Sequence, residues 1–374
     1  MNLKKVALIF RKEHVLITLF LLCSATGLSQ DLPRPSPQAS ITQRIGITDV
    51  SVVYHRPSMR GRTVWGQVVP YGYNSPSSDG SPSAPWRMGA NDPTTIEFTH
   101  DLKVAGKEIK AGKYALFGAI FENGVADIIF SRNFNGWGSI HYAEEDVILK
   151  VNAEVNSLEH PVEQLTYAFD SVTNNTSILS VTWSDKQISI PLEVNTEELT
   201  YQSLLDHELS FDAINFGTKS NWHQNAALYL LNNRIHLDKA LYWSNIAVNE
   251  QNGGIRNFPN LTTNVLLLAL NNQQEEAQSL LPEALKLAPN LNMMMFFGRQ
   301  ANTFDLREIE KKNYLTALDM FPENANTWWV HFQLSQVYLA DGEKDEFLKY
   351  IDMAIQDAPE SFVDRIKNFK SQNT

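Results

Sequence analysis

The residue types that could do chemistry gather in a basic and aromatic segment between residues 35 and 95. Its arginines supply planar, forked donors that suit carboxylate, sulfate or phosphate groups. Its flat aromatic rings suit sugar rings or stacked cations. We therefore predict a binding site for an anionic glycan or a peptide carboxylate in this segment. The candidate ligand-binding residues are His55, Arg56, Arg60, Arg62, Trp65, Tyr71, Trp86, Arg87 and Asn91.

A structural role for the same side chains is the alternative. Arginines beside tryptophans often stack on the rings and pair with acids to hold loops, and structural networks also contain perturbed charges. Acids that could serve as such partners include Asp49, Asp92 and Asp101. The sequence leaves both roles open, because only the directions of the arginine side chains decide between them.

Sequence patterns of known catalytic and cofactor sites are nearly absent. The sequence contains no Gly-x-Ser-x-Gly elbow, no phosphate-cradling loop, no His-Glu-x-x-His and no histidine pair at metal-ligand spacing. We therefore assign no catalytic residue, no metal and no cofactor. The alternative is a hydrolase that acts on an envelope glycan or peptide. In that case His55 or a nearby acid moves the proton, and the arginines stabilise anionic charge.

The amino terminus predicts export. Basic residues precede an apolar run at residues 15–25, which is shorter than the ~20 residues that cross a bilayer as a helix. Small residues at positions 27 and 29 favour a cut before Gln30. We expect residues 1–29 to be a signal peptide and the mature chain to be periplasmic or extracellular, with no transmembrane segment. A lipid anchor at Cys23 and an uncleaved membrane anchor are the alternatives.

Composition excludes several classes of protein. With 43% apolar and 20% charged residues, the chain is globular rather than collagen-like, coiled-coil or disordered. Its formal net charge of -11 argues against a nucleic-acid partner. Removal of residues 1–29 removes the single cysteine, so the mature chain has no disulfide and no thiolate nucleophile.

The pattern of apolar and polar residues from residue 41 to residue 194 predicts β-strands. Apolar and polar residues alternate over residues 147–155 and 188–194, which is typical of half-buried strands. Residues 114–121 are apolar at both parities, which predicts a central strand covered on both faces. Asn-Gly pairs at residues 123–124 and 135–136 predict tight turns. The spacing favours an all-β domain, an antiparallel sandwich or barrel.

After residue 200 the apolar period changes to 3.6, which predicts helices. Pro289, Pro322 and Pro359 follow helix-like segments at spacings of 33 and 37 residues, close to the period of helix-turn-helix repeats. Earlier predicted helix pairs are 221–232 with 236–250 and 259–270 with 273–287. The part of the chain after residue 200 resembles the tetratricopeptide family, which implies an all-α repeat domain. An ordinary helical bundle is the alternative.

Seven separated motifs occur in order along the β half. They are PSP at 35–37, RP at 56–57, GR at 61–62, WG at 65–66, VPYG at 69–72, WRMGAN at 86–91 and AGKYALF at 111–117. Together they resemble a family of secreted bacterial proteins, domain of unknown function 2911, over about residues 35–195. The resemblance implies an exported β domain without an established activity. A Ser/Pro/Gly-rich insert at residues 75–85 departs from the family pattern.

These observations predict a signal peptide at 1–29, a β domain at 35–195 and a helical repeat domain at 200–374. The hypothesis that they favour is an exported, non-catalytic binding or scaffolding protein of the cell envelope. The β domain would hold the Arg/aromatic ligand site, and the helical repeats would bind a protein partner. A third hypothesis makes the β domain purely structural and places all recognition in the helical half.

Overall fold

The computed structural model describes residues 33–74, 83–134, 138–211 and 219–374. The predicted signal peptide and the predicted Asn-Gly turn at 135–136 lie outside these ranges. The chain divides into two compact units, Met1–Thr196 and Glu197–Thr374. We name them the β unit and the helical unit.

The described residues of the β unit form nine strands in one antiparallel sheet, which confirms the predicted β fold class. The strand order in the sheet is β1-β2-β3-β6-β7-β8-β9-β4-β5. The strands are β1 Gln38–Ile45, β2 Thr48–His55, β3 Thr94–Phe98, β4 Leu102–Val104, β5 Lys107–Ile109, β6 Gly112–Ile120, β7 Val125–Ser131, β8 Val147–Asp170 and β9 Thr176–Glu193.

The central hairpin forms as the sequence predicts. Strand β6 is buried from Tyr114 to Ile120, as expected for a run that is apolar at both parities. It pairs with β7 in antiparallel register. Gly124 lies in the turn with a φ of 81°, a conformation that glycine adopts without a steric cost.

The long strand β8 closes the sheet on itself. Its first half pairs with β7, and its second half pairs with β9. The chain just beyond β2 also reaches β8: the Met59 amide donates to the Glu163 carbonyl at 2.9 Å, and the Leu165 amide donates to the Pro57 carbonyl at 3.0 Å. The run β2-β3-β6-β7-β8 therefore returns to the continuation of β2, which is the barrel solution to exposed strand edges.

The described residues of the helical unit form ten α-helices. No helix in the described part of the chain combines the length and hydrophobicity that a membrane crossing requires. The helices are α1 Thr196–Phe211, α2 Lys219–Asn233, α3 Leu237–Val248, α4 Phe258–Leu270, α5 Gln274–Lys286, α6 Leu291–Thr303, α7 Arg307–Met320, α8 Thr327–Ala340, α9 Lys344–Asp357 and α10 Glu360–Gln372.

Helices α2 to α9 form four antiparallel pairs that share one turn geometry. A left-handed residue sits in each turn between the two helices of a pair: Arg234, Asn272, Asp305 and Gly342. In each turn the next amide donates to the carbonyl five residues earlier, as in the bond from Leu306 to Ala301 at 2.9 Å. This is the Schellman C-cap.

The spacing of these turns confirms the predicted repeats. Asn272, Asp305 and Gly342 are 33 and 37 residues apart, the same spacings that separate the three prolines in the sequence. Each pair is therefore one copy of the same unit, which the ordinary-bundle alternative would not require.

The first helices of successive pairs lie side by side. Gln224 Nε2 on α2 is 2.8 Å from Thr263 Oγ1 on α4, and the Phe258 and Phe297 rings on α4 and α6 are 6.1 Å apart. Neighbouring repeats therefore build a continuous core.

One contact skips a repeat. The Arg234 guanidinium, in the turn of the first pair, donates to the Thr303 carbonyl and lies 5.1 Å from the Phe304 ring centroid at the turn of the third pair. In simple solenoids each repeat contacts only its neighbours. The second helix pair lies between these two turns in the chain, and its helix α4 contributes the buried residues Thr263 and Leu266.

Candidate functional site

The aromatic members of the Arg/aromatic segment pack on one another inside the β unit. The Trp65 ring is 5.8 Å from Trp86 and 6.1 Å from Trp183, and Trp86 stacks on Trp183 at 6.2 Å. Their indole N–H groups donate to backbone carbonyls; Trp65 Nε1, for example, is 3.3 Å from the Trp183 oxygen. Sequence reasoning missed Trp183, which lies on β9, about 100 residues from the motifs.

Arg56 fastens the end of β2 to β8. Its Nε donates to the Leu165 carbonyl at 3.0 Å and its terminal nitrogen donates to Thr166 Oγ1 at 2.9 Å. Its own amide donates to the Pro37 carbonyl at 2.9 Å, which extends the ladder with β1. This guanidinium therefore stabilises the closure of the sheet.

Two further arginines donate to nearby loop carbonyls. Arg62 donates to the Met59 oxygen at 2.9 Å and to the Ser58 oxygen at 2.8 Å. Arg60 reaches the Pro35 oxygen at 3.3 Å. Both residues are exposed, but these hydrogen bonds hold the backbone of residues 35–62.

Tyr71 packs against the turn at Gly66. A Cβ at Gly66 would lie 3.1 Å from the Tyr71 ring, and Gly66 has a φ of 84°. The Tyr71 carbonyl accepts a bond from Asn74 Nδ2 at 2.8 Å. The WG and VPYG motifs are therefore placed in contact with each other.

The remaining three candidate residues, His55, Arg87 and Asn91, gather near Asp92. The Asp92 Oδ2 atom is 3.0 Å from the Arg34 guanidinium and 4.0 Å from His55 Nε2. We name Arg34, His55, Arg87, Asn91 and Asp92 the Asp92 cluster. Sequence reasoning missed Arg34, because it is 58 residues from its partner and carries no local signal.

Burial controls the charge states in the Asp92 cluster. His55 is almost completely buried, and this burial lowers its pKa, an effect that Arg34 and Arg87 reinforce and Asp92 opposes. Burial also lowers the pKa of Arg87, with Asp92 opposing. The lowered pKa favours the uncharged imidazole of His55 beside the Arg34–Asp92 ion pair.

The helical unit presents a second candidate surface on α6 and α8. On α6, Asn292, Phe296 and Arg299 are exposed on one face at i, i+4 and i+7. Adding the repeat spacing of 37 residues gives the equivalent α8 positions, and all three of these are half-buried. We name the six residues the α6/α8 face: Asn292, Phe296, Arg299, Trp329, Gln333 and Gln336.

Two contacts tie this face to the core beneath it. The guanidinium carbon of Arg299 lies 5.5 Å from the Trp329 ring centroid. The Trp329 ring meets the buried Tyr314 ring edge-on at 5.8 Å. Tyr314 fits against Gly298, where an added Cβ would lie 2.3 Å from the Tyr314 ring.

The interior of the third pair holds an unusual carboxyl group. Glu310 is only 1% exposed and accepts a bond from Asn302 Nδ2 at 3.1 Å. Burial raises the pKa of Glu310 to about 7. Tyr314, one turn further along α7, has a buried hydroxyl without a hydrogen-bond partner among the described residues, and burial raises its pKa.

Within the described ranges, no group of three or more His, Cys, Asp or Glu side chains is placed to hold a metal ion.

Comparison with known proteins matches the two units separately. Residues 36–192 match the family model described as "Protein of unknown function (DUF2911)". The comparison with curated proteins gives no match.

Solved structures with helical repeats resemble the chain at low similarity. A Podosopora anserina putative kinesin light chain with TPR-like repeats has 13% identity and a TM-score of 0.29, covering 38% of this chain and 76% of its own. MamA from Desulfovibrio magneticus RS-1 has 16% identity and a TM-score of 0.27, covering 42% and 89%. YrrB, described as a TPR protein with an unusual peptide-binding site, has 15% identity and a TM-score of 0.29, covering 47% and 89%.

The helix pairs of the helical unit and the turns that they share identify it as a repeat array. The ordered motifs of the β unit and the family match agree. Residues 36–192 therefore match the DUF2911 family of proteins of unknown function, and the helices that follow them form a tetratricopeptide-like repeat unit.

Proposed function

We propose that the protein is an exported, non-catalytic binding or scaffolding protein of the cell envelope, and that its helical unit binds a protein partner through the α6/α8 face. The observation that carries the proposal is the exposure of Phe296, at 50%, on the same face as Arg299 and Trp329. Aromatic residues and arginine are enriched at protein interfaces and among their energetic hot spots. A half-exposed phenylalanine beside such a pair supports a docking role.

The chemistry of the α6/α8 face indicates the kind of partner. Asn292, Gln333 and Gln336 carry amides that both donate and accept, which suits the backbone of an extended peptide. Arg299 suits a carboxylate. The partner is therefore a peptide segment with one apolar anchor residue and a nearby acid.

For the β unit, the hydrogen bonds that Arg56, Arg60 and Arg62 donate to backbone carbonyls support a structural role for these three arginines. We place the finer proposal, a site for an anionic glycan or a peptide carboxylate, at the Asp92 cluster. The hydrolase alternative stays a prediction. The 4.0 Å between His55 Nε2 and Asp92 Oδ2 is longer than a hydrogen bond that would orient a general base.

Peptide selection tests the docking proposal. The purified mature chain is panned against a phage-displayed library of random linear peptides, and enriched peptides are measured by fluorescence polarisation. We expect enriched sequences to contain an apolar residue and an acid. Truncating a central hot-spot side chain costs about 2 kcal/mol or more, so Phe296→Ala should weaken binding more than tenfold.

Tyr242→Ala is the matched control, because Tyr242 is exposed to a similar extent, 53%, but lies on the second helix of the first pair. This variant should bind like the parent. If the library yields no enriched sequence, or if enriched peptides bind Phe296→Ala as tightly as the parent, the docking proposal is wrong.

Export has a separate test. The basic residues and short apolar run within residues 1–29 support it. Amino-terminal sequencing of the protein recovered from the envelope fraction should begin at Gln30. A chain recovered only from the cytosol, with residue 1 or 2 at its amino terminus, would refute export.

A further inference from the structure

We propose that the protonation state of Glu310 regulates the α6/α8 face, so that the neutral carboxyl favours docking of the acidic peptide partner and the carboxylate opposes it. This inference rests on the proposed docking function and adds its regulation. Its basis is the position of the carboxyl group. Glu310 is 1% exposed and lies on α7, the helix that also contributes Tyr314 to the core beneath the face.

Two routes connect Glu310 to the face. On α6, Asn302 Nδ2 donates to Glu310 Oε2 at 3.1 Å, and Asn302 lies one helical turn beyond Arg299. On α7, Tyr314 lies one turn beyond Glu310, and its ring meets the Trp329 ring edge-on at 5.8 Å. The carboxyl group is therefore separated from Arg299 and from Trp329 by one intervening side chain in each direction.

The Tyr314 hydroxyl responds to charges on both sides. This hydroxyl is buried and has no hydrogen-bond partner among the described residues. Burial is the main cause that raises the pKa of Tyr314; the charge of Glu310 adds to this effect and the charge of Arg299 opposes it. Because both charges act on one buried group, a change of charge at Glu310 is felt where Arg299 and Trp329 meet the core.

The surroundings of Glu310 allow it to change its charge near neutral pH. Burial is the main cause that raises its pKa to about 7, while Asn302 and Arg307 lower the pKa and Asp305 and Asp341 raise it. The Arg307 guanidinium is 3.4 Å from Asp305 and 3.3 Å from Asp341. The cation is thus shared between two other acids and is not a dedicated partner of the buried carboxyl group.

The sign of the regulation follows from linkage. A partner acid that binds Arg299 brings a second negative charge toward Glu310, and docking excludes water from the face, so both effects raise the cost of ionising Glu310. Proton binding at Glu310 and peptide binding therefore strengthen each other. The affinity is highest below pH 7 and falls as the pH rises through 7.

Peptide binding at two pH values tests the inference. The probe is a phage-selected peptide that contains an acid and no histidine, and its binding to the purified mature chain is measured by fluorescence polarisation at pH 6 and pH 8. We expect the Kd of the parent to rise about threefold to tenfold between these values. Glu310→Gln should show the same Kd at both, and at pH 8 it should bind more tightly than the parent, a gain that damage to the fold cannot produce.

Two variants serve as controls. Glu308→Gln is the matched control, because Glu308 is exposed on the same helix, and it should keep the pH dependence of the parent. His331 on α8 is the second. Burial lowers its pKa, although Asp357 on α9 opposes this, so the imidazole stays mostly uncharged at pH 6 and above. His331→Gln should therefore also keep the pH dependence.

The contrary outcomes separate the two proposals. A Kd that does not rise with pH in the parent, or that rises equally in Glu310→Gln, overturns the regulation and leaves the docking function standing, provided that Phe296→Ala still weakens binding. Loss of the pH dependence in Glu308→Gln or His331→Gln overturns the assignment to Glu310. If panning yields no peptide, or if Phe296→Ala binds like the parent, the docking function is wrong and so is this inference.

Discussion

The β unit and the helical unit treat their polar side chains in opposite ways. In the β unit, three of the arginines that stand out in the sequence, Arg56, Arg60 and Arg62, donate to backbone carbonyls. In the helical unit, Glu310 and Tyr314 are buried with few partners, while Asn292 and Arg299 remain exposed on the α6/α8 face. The conspicuous motif thus stabilises a fold, and the plainer repeats carry the face that we propose as a docking surface.

The difference follows from the two architectures. A sheet closed by a long strand has irregular connections whose carbonyls need donors, and the forked guanidinium supplies two donors at once. A helix satisfies its own backbone, so the side chains on its outer face are available for a partner. Chemically rich residues in a sequence are therefore not by themselves evidence of a site.

The largest expected effect tests the structural role of the tryptophans. Trp183 is 1% exposed, and Trp183→Ala should lower the free energy of unfolding by about 3–5 kcal/mol. Trp329→Ala, on the half-buried face of the helical unit, should cost about 1 kcal/mol. Urea denaturation followed by circular dichroism measures both. Equal losses would break the proposed contrast between the units.

Glu310 should make the stability of the helical unit depend on pH. Its folded pKa of about 7 is above the ordinary value, so its stabilising contribution is complete below about pH 4 and is lost as the pH rises through 7. Glu310→Gln should therefore raise the free energy of unfolding by about 2–3 kcal/mol at pH 8 and by much less at pH 5.

Urea midpoints at the two pH values measure this effect, and Glu308→Gln is the control because Glu308 is exposed on the same helix. If Glu310→Gln and Glu308→Gln show the same pH dependence, the carboxyl of Glu310 does not titrate in the folded interior.

A substitution of Arg56 tests whether its hydrogen bonds stabilise the β unit. Arg56→Ala should lower the free energy of unfolding by about 1.5–3 kcal/mol, because it removes charged hydrogen bonds to Leu165 and Thr166. Arg44→Ala removes an exposed ion pair with Asp49 and should have a much smaller effect. Chemical denaturation of both variants supplies the comparison. If Arg56→Ala leaves the free energy of unfolding unchanged, Arg56 becomes a candidate for the ligand site again.

The smallest expected effect concerns His55. Because burial lowers its pKa, the imidazole gains its charge only in acid, and that added positive charge should strengthen carboxylate binding. Glucuronate affinity should rise a few-fold between pH 7 and pH 5, with no rise in His55→Gln. Titration calorimetry at the two pH values measures it. An equal rise in both proteins would exclude His55 as its source.

Local patterns predicted most of the fold. The doubly apolar run over residues 114–121 became the central strand β6, and proline spacings of 33 and 37 residues matched the left-handed turns. Both features depend on residues close together in sequence, whose periodicity and turn chemistry are visible without the fold.

Long-range contacts could not be predicted in the same way. The pairing of residues 57–59 with β8, the contact of Arg34 with Asp92 and the reach of Arg234 to Thr303 join positions that have no shared local pattern. Because every residue has a backbone carbonyl, the sequence does not indicate which carbonyls accept hydrogen bonds from a given arginine. Of the nine residues predicted for the ligand site, His55, Arg87 and Asn91 lie in the Asp92 cluster. The other six lie elsewhere in the β unit.

The central claim is that a protein partner docks on the α6/α8 face, and site-specific photo-cross-linking tests it most directly. The cross-linker p-benzoylphenylalanine replaces Phe296 in one chain, Tyr242 in a second and Tyr71 in a third, each expressed in living cells. We expect one discrete cross-linked protein band from position 296 and none from positions 242 and 71. A discrete band from position 71 with none from position 296 would contradict it.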